Sequence, residues 1–285
     1  MTYTITTNPS LDYTVEAELI PGQINRTSSE IIYPGGKGIN VSLALQRLDQ
    51  ETRALGFAAG RIGQTIRDLL DDLGCPHTLL ELSGGGQSRI NVKIRGSIET
   101  AVNGHGPALG AADLVRLLEL LQDVKRDDAV VISGWVQNIS FYVSILEQLS
   151  EVGCMTVLDC SGEALWQCLA CHPFLIKPNL SELGALFGVE DLEFNEAVEL
   201  AHQLQLEGAR TPSKYRTQST ICSRTFGPAI EPSLLTWPMT KTVMFRPFAS
   251  CIRAIVQSLT CVMLPGGLSN APLYMVWMES IINIR

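Results

Sequence analysis

Hydrophobic and polar positions follow two different periods along residues 1–208, and segments with one period alternate regularly with segments with the other. Short runs rich in β-branched and aliphatic residues predict strands, whereas apolar residues spaced three and four apart predict helices. The predicted strands lie at 3–7, 13–18, 29–33, 52–58, 89–94, 98–103, 129–133, 155–159 and 174–177. The predicted helices lie at 38–48, 65–74, 114–122, 141–153, 162–170, 180–188 and 195–208.

This alternation of strands and helices is typical of βαβ units. It predicts an α/β fold in which a mostly parallel central sheet is covered by helices on both faces. The segments at about 11–34 and 88–103 are rich in strand residues but do not follow the alternation. We expect them to form a small β lid over the carboxyl ends of the main strands, where such folds bind ligands.

Both patterns stop near residue 210, and the composition changes at the same point. Residues 1–210 carry 27 acidic and 14 basic side chains, whereas residues 211–285 carry two acidic and seven basic side chains and no aspartate. The uncharged stretch 254–278 is interrupted by Pro265 and Gly266, so we do not expect it to span a membrane. We therefore divide the chain into a core, 1–209, and an atypical tail, 211–285.

The composition also narrows the class of protein. A net charge of −8 without a basic stripe argues against a nucleic-acid partner. The N-terminal residues have neither the basic region nor the apolar region of a signal peptide, so we expect a cytoplasmic protein whose eight cysteines are free thiols. The segment from Cys168 to His172 matches the C-x-x-C-H haem-attachment pattern. That chemistry requires export, and we interpret these cysteines as core residues.

A glycine-rich loop, Gly35-Gly36-Lys37-Gly38, precedes the first predicted helix. Glycines allow backbone N–H groups to approach a ligand, and a helix N-terminus adds unpaired N–H donors and a positive dipole end. Together with a lysine, this arrangement is typical of an anion site, above all for phosphate. The order of residues is not that of a Walker loop. The alternative is a plain strand-to-helix turn whose lysine points into solvent.

Several polar motifs stand in a characteristic order: NPSLDY at 8–13, PGGKGINVS at 34–42, RINVKI at 89–94, DCSGEAL at 159–165 and FLIKPNLSEL at 174–183. In this order and at this spacing they resemble the ribokinase-like (PfkB) sugar kinases, in the 1-phosphofructokinase and tagatose-6-phosphate kinase branch, over residues 1–209. The resemblance implies a three-layer sandwich with a β lid. It also implies ATP and Mg²⁺ as cofactors and phosphorylation of fructose 1-phosphate at its 6-hydroxyl. Tagatose 6-phosphate is the alternative acceptor, and a homodimer through the lid is implied as well.

The resemblance assigns the sugar phosphate to seven residues: Asp12, Arg26, Gly36, Lys37, Asn40, Arg89 and Asn91. It implies that Asp12, which we expect at a strand end, accepts hydrogen bonds from sugar hydroxyls. Gly36 and Asn40 would hold ring or carbonyl oxygens, and the three basic residues would grip the phosphate. Simple structural roles remain as alternatives: a turn cap for Asp12, a solvent-facing first helical turn for Asn40 and an exposed strand face for Arg89.

Asn179 and Glu182 stand three residues apart at a predicted helix start. The resemblance implies that they hold Mg²⁺ through water and help to hold the nucleotide phosphates, which suits the hydration that Mg²⁺ retains in proteins. The same spacing is that of a capping box, and the two roles are compatible.

The chain departs from this family in its last third. The family's G-A-G-D motif, which supplies an anion hole and the catalytic aspartate, is absent from the sequence. Trp135 stands where the family has a small polar residue, close to the sugar phosphate. One hypothesis is a change of coding frame near residue 209. The other is divergence to a sugar-phosphate-binding relic without catalysis.

Overall fold

The computed structural model describes residues 1–134 and 138–208 and the backbone of Thr220–Ile221. Trp135 and the remainder of the tail lie outside the described residues. Eleven strands are described: β1 Thr2–Thr6, β2 Ser10–Glu16, β3 Ser29–Gly35, β4 Thr52–Phe57, β5 His77–Leu80, β6 Arg89–Arg95, β7 Thr100–Asn103, β8 Ala129–Ser133, β9 Met155–Asp159, β10 Leu175–Ile176 and β11 Thr220–Ile221.

Seven α-helices connect them in the described part of the chain: α1 Lys37–Arg47, α2 Gly60–Asp72, α3 Ala111–Leu120, α4 Ser140–Val152, α5 Gly162–Cys168, α6 Leu180–Phe187 and α7 Phe194–Gly208. Single 3₁₀ turns extend α3 and α5, at Leu121–Asp123 and Leu169–Cys171. Asn179 caps α6, and Gly153 and Gly188 end α4 and α6 in the left-handed conformation that glycine favours.

The large sheet has the strand order β11-β10-β9-β8-β1-β4-β5, and all its neighbouring strands are parallel. Helices α1 and α2 cover one face, where Val41 and Leu45 pack against Val131 and Val157. Helices α3 to α7 contribute to the larger core cluster on the other face, which includes Ile132. This arrangement confirms the predicted α/β fold with a parallel sheet between two helical layers.

A second sheet, here called the small sheet, has the order β3-β2-β6-β7. Strands β2 and β6 are parallel, with Asp12 opposite Asn91, and the two outer pairs are antiparallel. Because side chains alternate between the faces of a sheet, Ser10, Asp12, Arg89 and Asn91 share one face. The small sheet therefore carries a polar face that is built from segments 79 to 81 residues apart in sequence.

Helix α2 and strand β5 differ most clearly from the sequence-based prediction. Helix α2 begins at Gly60, five residues before the predicted start. The pattern misses this first turn because Gly60 and Gly63 lower its helix propensity. The four-residue edge strand β5 was not predicted, since it follows Pro76 directly and is too short for an alternating pattern. Among the described residues, none of the helices combines the length and the hydrophobicity that a membrane crossing requires.

Candidate active site

Asp12 is the centre of a buried polar cluster on the small sheet. Its Oδ1 accepts hydrogen bonds from Ser10 Oγ at 2.6 Å and from Asn91 Nδ2 at 2.9 Å. Its Oδ2 forms an ion pair with Lys93 Nζ at 2.9 Å. Only 4% of Asp12 is exposed. The carboxylate is therefore held in one orientation by three side chains from two strands.

The expectation that Asp12 ends a strand is wrong. Strand β1 ends at Thr6, and a turn of three residues leads directly into β2, in which Asp12 is the third residue. The sequence NPSLDY begins with the turn but continues as an extended strand, because hydrogen bonding to β6 outweighs the turn signal of Asn8 and Pro9. Asp12 consequently lies on the small sheet instead of at the edge of the large one.

Gly35 marks the point where the glycine-rich loop contacts this cluster. A side chain there would collide with the carboxylate of Asp12, so only glycine allows the chain to pass so close. Gly36 then serves as the N-cap of α1 without a side-chain hydrogen bond, and Ile39 N donates to Thr6 Oγ1 at 3.1 Å. The start of α1 is thereby fixed against the end of β1.

Lys37 and Asn40 occupy the first turn of α1. Lys37 Nζ lies 3.4 Å from Asp159 Oδ2, at the carboxyl end of β9. Asn40 is half-buried, and within the described residues its side chain makes no hydrogen bond. Both side chains therefore keep polar groups that a bound ligand can engage at the start of the helix.

Asp159 is a residue that the sequence analysis did not select. It is 1% exposed, and a second lysine, Lys177, lies 3.5 Å from its Oδ1. Lys177 is itself 5% exposed, and both Asp159 oxygens lack hydrogen bonds within the described residues. The cluster of one carboxylate and two ammonium groups has a formal charge of +1 and lies where β9 and β10 end.

Cys160 lies close to charged groups from three elements of the site. Burial raises the pKa of its thiol, and the charges of Asp159 and Glu182 act in the same direction, whereas Lys37 lowers it. The thiol is thus within electrostatic range of the start of α1, the end of β9 and the first turn of α6. These three elements meet at one edge of the large sheet.

Arg89 begins β6 and lies on the same face of the small sheet as Asn91. Its Nε donates to the carbonyl oxygen of Asn8 at 3.1 Å, and its Nη1 is 3.5 Å from the carbonyl oxygen of Gly104. Burial lowers the pKa of the guanidinium, and the nearby charge of Asp12 opposes that change. Within the described residues Nη2 has no hydrogen-bond partner, which leaves donors for an anion.

Arg26 lies apart from the other predicted site residues. It lies on the exposed connection between β2 and β3, and within the described residues it forms neither a hydrogen bond nor an ion pair. The connection follows Glu16 at the far end of β2, and an extended strand advances about 3.3 Å per residue. Four residues of strand therefore separate Asp12 from the start of this connection.

Asn179 and Glu182 form a reciprocal capping box. Asn179 Oδ1 accepts from Glu182 N at 2.7 Å, and Glu182 Oε2 accepts from Asn179 N at 2.9 Å. The cap uses one oxygen of each side chain, so the second Glu182 oxygen and the Asn179 amide group remain for a ligand. Such a donor set fits a Mg²⁺ ion that keeps most of its water and contacts the protein through it.

The cysteines of the C-x-x-C-H segment belong to the core. Cys168 is fully buried, and burial raises the pKa of its thiol to about 12. His172 Nδ1 is hydrogen-bonded to the carbonyl oxygen of Gly208 at 2.5 Å. The segment therefore has a packing role, and all five cysteines in the described part of the chain are free thiols.

Comparison with known proteins agrees with this geometry. The family model described as pfkB family carbohydrate kinase matches residues 6–212. The chain belongs to this family. The match ends within a few residues of the change in composition near residue 210.

Several curated relatives share more than 30% identity with the chain. A 1-phosphofructokinase from Bacillus subtilis is 39% identical over 213 residues, which is 73% of this chain and 70% of the relative. A D-tagatose-1-phosphate kinase from Bacillus licheniformis is 36% identical over 191 residues, 66% of this chain and 62% of that relative. The chain thus spans about two thirds of the length of these relatives.

Solved structures of the family share the fold. Phosphofructokinase-2 from Escherichia coli in complex with fructose-6-phosphate superimposes with a TM-score of 0.67 at 27% identity, over 72% of this chain and 70% of that one. Ribokinase from Arabidopsis thaliana, complexed with ribose and ATP, has a TM-score of 0.59 at 18% identity over 72% of this chain and 69% of that one, a likeness of fold alone. The fold is therefore ribokinase-like, as predicted.

Proposed function

We propose that residues 1–208 form the acceptor site of a sugar-phosphate kinase whose substrate is fructose 1-phosphate. The observation that carries this proposal is the combination of a buried carboxylate with cations on either side of it. Asp12 offers acceptor oxygens for sugar hydroxyls, while Arg89 and Lys37 offer positive charge for a phosphate. Both curated relatives named above are kinases of ketohexose 1-phosphates, which supports a phosphate on C1 of the sugar.

The remaining residues have positions that suit the same ligand. Asn40 and the backbone at Gly36 lie at the N-terminus of α1, whose N–H groups and dipole favour an anionic ligand. Asn91 donates a hydrogen bond to the carboxylate of Asp12. It therefore fixes the oxygens that would accept hydrogen bonds from the sugar hydroxyls. Arg26 is proposed as a further phosphate contact on the basis of the family resemblance.

In the proposed reaction, the γ-phosphoryl group of ATP is transferred to the 6-hydroxyl of fructose 1-phosphate, whose proton passes to a carboxylate base. Mg²⁺ would neutralise charge on the phosphoryl group during transfer, and Asn179 and Glu182 would hold the hydrated ion beside the nucleotide phosphates. On the acceptor side, Asp12, Lys37 and Arg89 would bind and orient the sugar phosphate.

The catalytic base has no counterpart in the tail. Residues 211–285 contain no aspartate and no G-A-G-D sequence. We propose that the chain as written binds sugar phosphate but does not turn it over at an appreciable rate. An ADP-coupled assay with fructose 1-phosphate and ATP tests this directly. Ligand-induced thermal stabilisation without turnover supports the proposal, whereas turnover well above background shows that the tail supplies a base.

The origin of the tail is a separate proposal. We propose a change of coding frame near codon 209, because the family match, the acidic residues and the periodic pattern end together. Sequencing the coding DNA from codon 200 and translating all three frames decides the matter. A frame that reads G-A-G-D identifies an ordinary kinase gene. If none does, divergence to a binding relic is the explanation.

Tagatose 1-phosphate is the second candidate acceptor, since a kinase of this sugar phosphate is 36% identical to the chain. The two sugars differ only in configuration at C4, so a hydrogen bond to the 4-hydroxyl would decide between them. Tagatose 6-phosphate is the alternative implied by the wider family branch. Comparing the dissociation constants of the three sugar phosphates ranks them.

We further propose a homodimer through the small sheet. On the face opposite Asp12, Ile32 of β3, Ile90 of β6 and Val102 of β7 are 51%, 41% and 60% exposed, so apolar side chains extend from one edge strand to the other. One structure of Escherichia coli phosphofructokinase-2 is a tetramer, so related chains assemble. The free cysteines support a reducing, cytoplasmic location.

A further inference from the structure

Asn8 joins two backbone segments that are distant in sequence. It lies in the turn between β1 and β2, and its Nδ2 donates to the carbonyl oxygen of His105 at 2.9 Å, 97 residues further along the chain. The His105 carbonyl belongs to the connection that follows β7. The side chain of Asn8 therefore fastens the β1–β2 turn to this connection.

The two fastened segments carry the carbonyl oxygens that hold Arg89. One is the carbonyl of Asn8 itself, 3.1 Å from Arg89 Nε, and the other is that of Gly104, 3.5 Å from Nη1. Gly104 N in turn donates to the carbonyl oxygen of Ile90 at 3.0 Å. The guanidinium is thus held between two backbone acceptors whose separation depends on the Asn8 amide.

Close packing at Gly106 supports this arrangement. Gly106 has a φ of +77°, and a methyl group added there would collide with Oδ1 of Asn8. The connection therefore lies directly against the Asn8 side chain, with glycine allowing both the backbone conformation and the contact.

The acceptors around Arg89 are neutral, which matters for its charge. Carbonyl oxygens orient a guanidinium without neutralising it, whereas a carboxylate would compete with an anionic ligand. Arg89 is half-buried, so its rotamer is constrained, and an anion that meets it gains most when the donors already point in one direction. Preorganisation of this kind is the physical benefit of the Asn8 hydrogen bond.

We propose that Asn8 is a positioning residue for phosphate recognition, acting through Arg89. The proposal rests on the proposed function, in which Arg89 contacts the phosphate of a sugar phosphate. Asn8 itself makes no contact with the ligand in this account. It fixes the two carbonyls between which the guanidinium lies.

Calorimetric titration of the full chain with fructose 1-phosphate and with fructose tests this role. The variants are Asn8→Ala, Arg89→Ala and the double variant. The matched control is Gln46→Ala, which removes a similar amide-to-carbonyl hydrogen bond, to Leu73 and Gly74, near the other end of α1. We expect about a five-fold weaker affinity for fructose 1-phosphate in Asn8→Ala and at least a tenfold loss in Arg89→Ala. The double variant should resemble Arg89→Ala alone, because nothing then remains to be positioned.

The outcomes separate the two proposals. Independent, multiplying effects of the two substitutions overturn the positioning role but leave the phosphate contact of Arg89 intact. An Arg89→Ala variant with unchanged affinity overturns the phosphate contact, and the role of Asn8 with it. Equal losses in Asn8→Ala and Gln46→Ala would mark a general loss of stability and also contradict the proposal. If Asn8→Ala does not fold, Asn8→Ser gives the same comparison with a residue that is favoured in turns.

Discussion

Lys93 Nζ lies 2.9 Å from Asp12 Oδ2, and the same ammonium group is 5.6 Å from the centre of the Tyr33 ring. The pKa of Lys93 is raised: burial alone would lower it, but the hydrogen bond to Asp12 and its charge prevail. Lys93 is therefore a permanent cation beside the candidate sugar site. Its stabilising effect is present below the ordinary lysine pKa and is lost as pH rises through the raised value.

Replacing Asp12 with Asn tests the buried cluster. The amide can still accept from Asn91, but the ion pair with Lys93 is lost and one donor group meets the ammonium. We expect the affinity for fructose 1-phosphate to fall at least about tenfold, or ~1.4 kcal/mol, as measured by calorimetry. Asp113→Asn is the control, since Asp113 is an equally buried carboxylate that caps α3 instead. Comparable affinity losses in both variants would contradict a specific role for Asp12.

Because Asp159 and Lys177 are both buried, we expect removal of one charge to lower the free energy of unfolding more than removal of both. Asp159→Asn leaves Lys177 buried without its carboxylate, which should destabilise the protein by about 3–5 kcal/mol. The double variant Asp159→Asn/Lys177→Met removes both charges and should recover a large part of this loss. Urea unfolding of the unmodified chain, Asp159→Asn, Lys177→Met and the double variant measures the differences in free energy. Additive losses in the double variant would show that the two charges do not depend on each other.

Asp113 predicts how stability depends on pH on the acid side. Although burial acts to raise the pKa of this carboxyl, hydrogen bonds from Ser83 N and Gly110 N, both 2.9 Å, hold it below its ordinary value of 3.8. The carboxylate therefore stabilises the fold above pH 3.8, and this contribution is lost as pH falls through the lowered pKa. Asp113→Asn should cost about 2 kcal/mol at pH 7. Its unfolding free energy should approach that of the unmodified chain as pH falls below 3.8 and through the lowered pKa, and a constant gap down to pH 2 would contradict this prediction.

The proposed dimer predicts that a charge on the apolar face of the small sheet disrupts assembly. Val102→Asp places a carboxylate on that face, whereas Val115→Asp places one on α3, at a position of similar exposure, 60% and 55% respectively. Sedimentation should show a dimer for the unmodified chain and for Val115→Asp, and a monomer for Val102→Asp. A monomer in all three samples at micromolar concentration rules out this interface.

The sequence was most informative where periodicity and local chemistry agree. The two-residue period of 89–94 placed Arg89 and Asn91 on one face, and the helix start after Gly36 followed from the glycines and the apolar spacing. The position of Asp12 could not be derived in this way. Its place inside β2 depends on pairing with a strand that comes 79 residues later.

Residues recognised only in the structure are those whose partners are remote. Lys93 reads as an ordinary polar position of an alternating strand until β2 places Asp12 beside it. Asp159 and Lys177 each follow a buried strand, a signal that the sequence does contain, but their pairing requires β9 and β10 to be neighbours. Arg26 was predicted from the sequence but lies apart from the other site residues in the structure. The order of residues along the chain gave no measure of that distance.

Recognition of a ketohexose phosphorylated on C1 is the proposal on which the others depend, and calorimetric titration with fructose 1-phosphate tests it. Fructose and fructose 6-phosphate are the comparison ligands, and Lys37→Met is measured beside the exposed-lysine control Lys125→Met. We expect saturable binding of fructose 1-phosphate, an affinity at least about tenfold weaker for the other two sugars and for Lys37→Met, and an unchanged affinity in the control. Equal affinities for fructose and fructose 1-phosphate, or no binding at all, would contradict it.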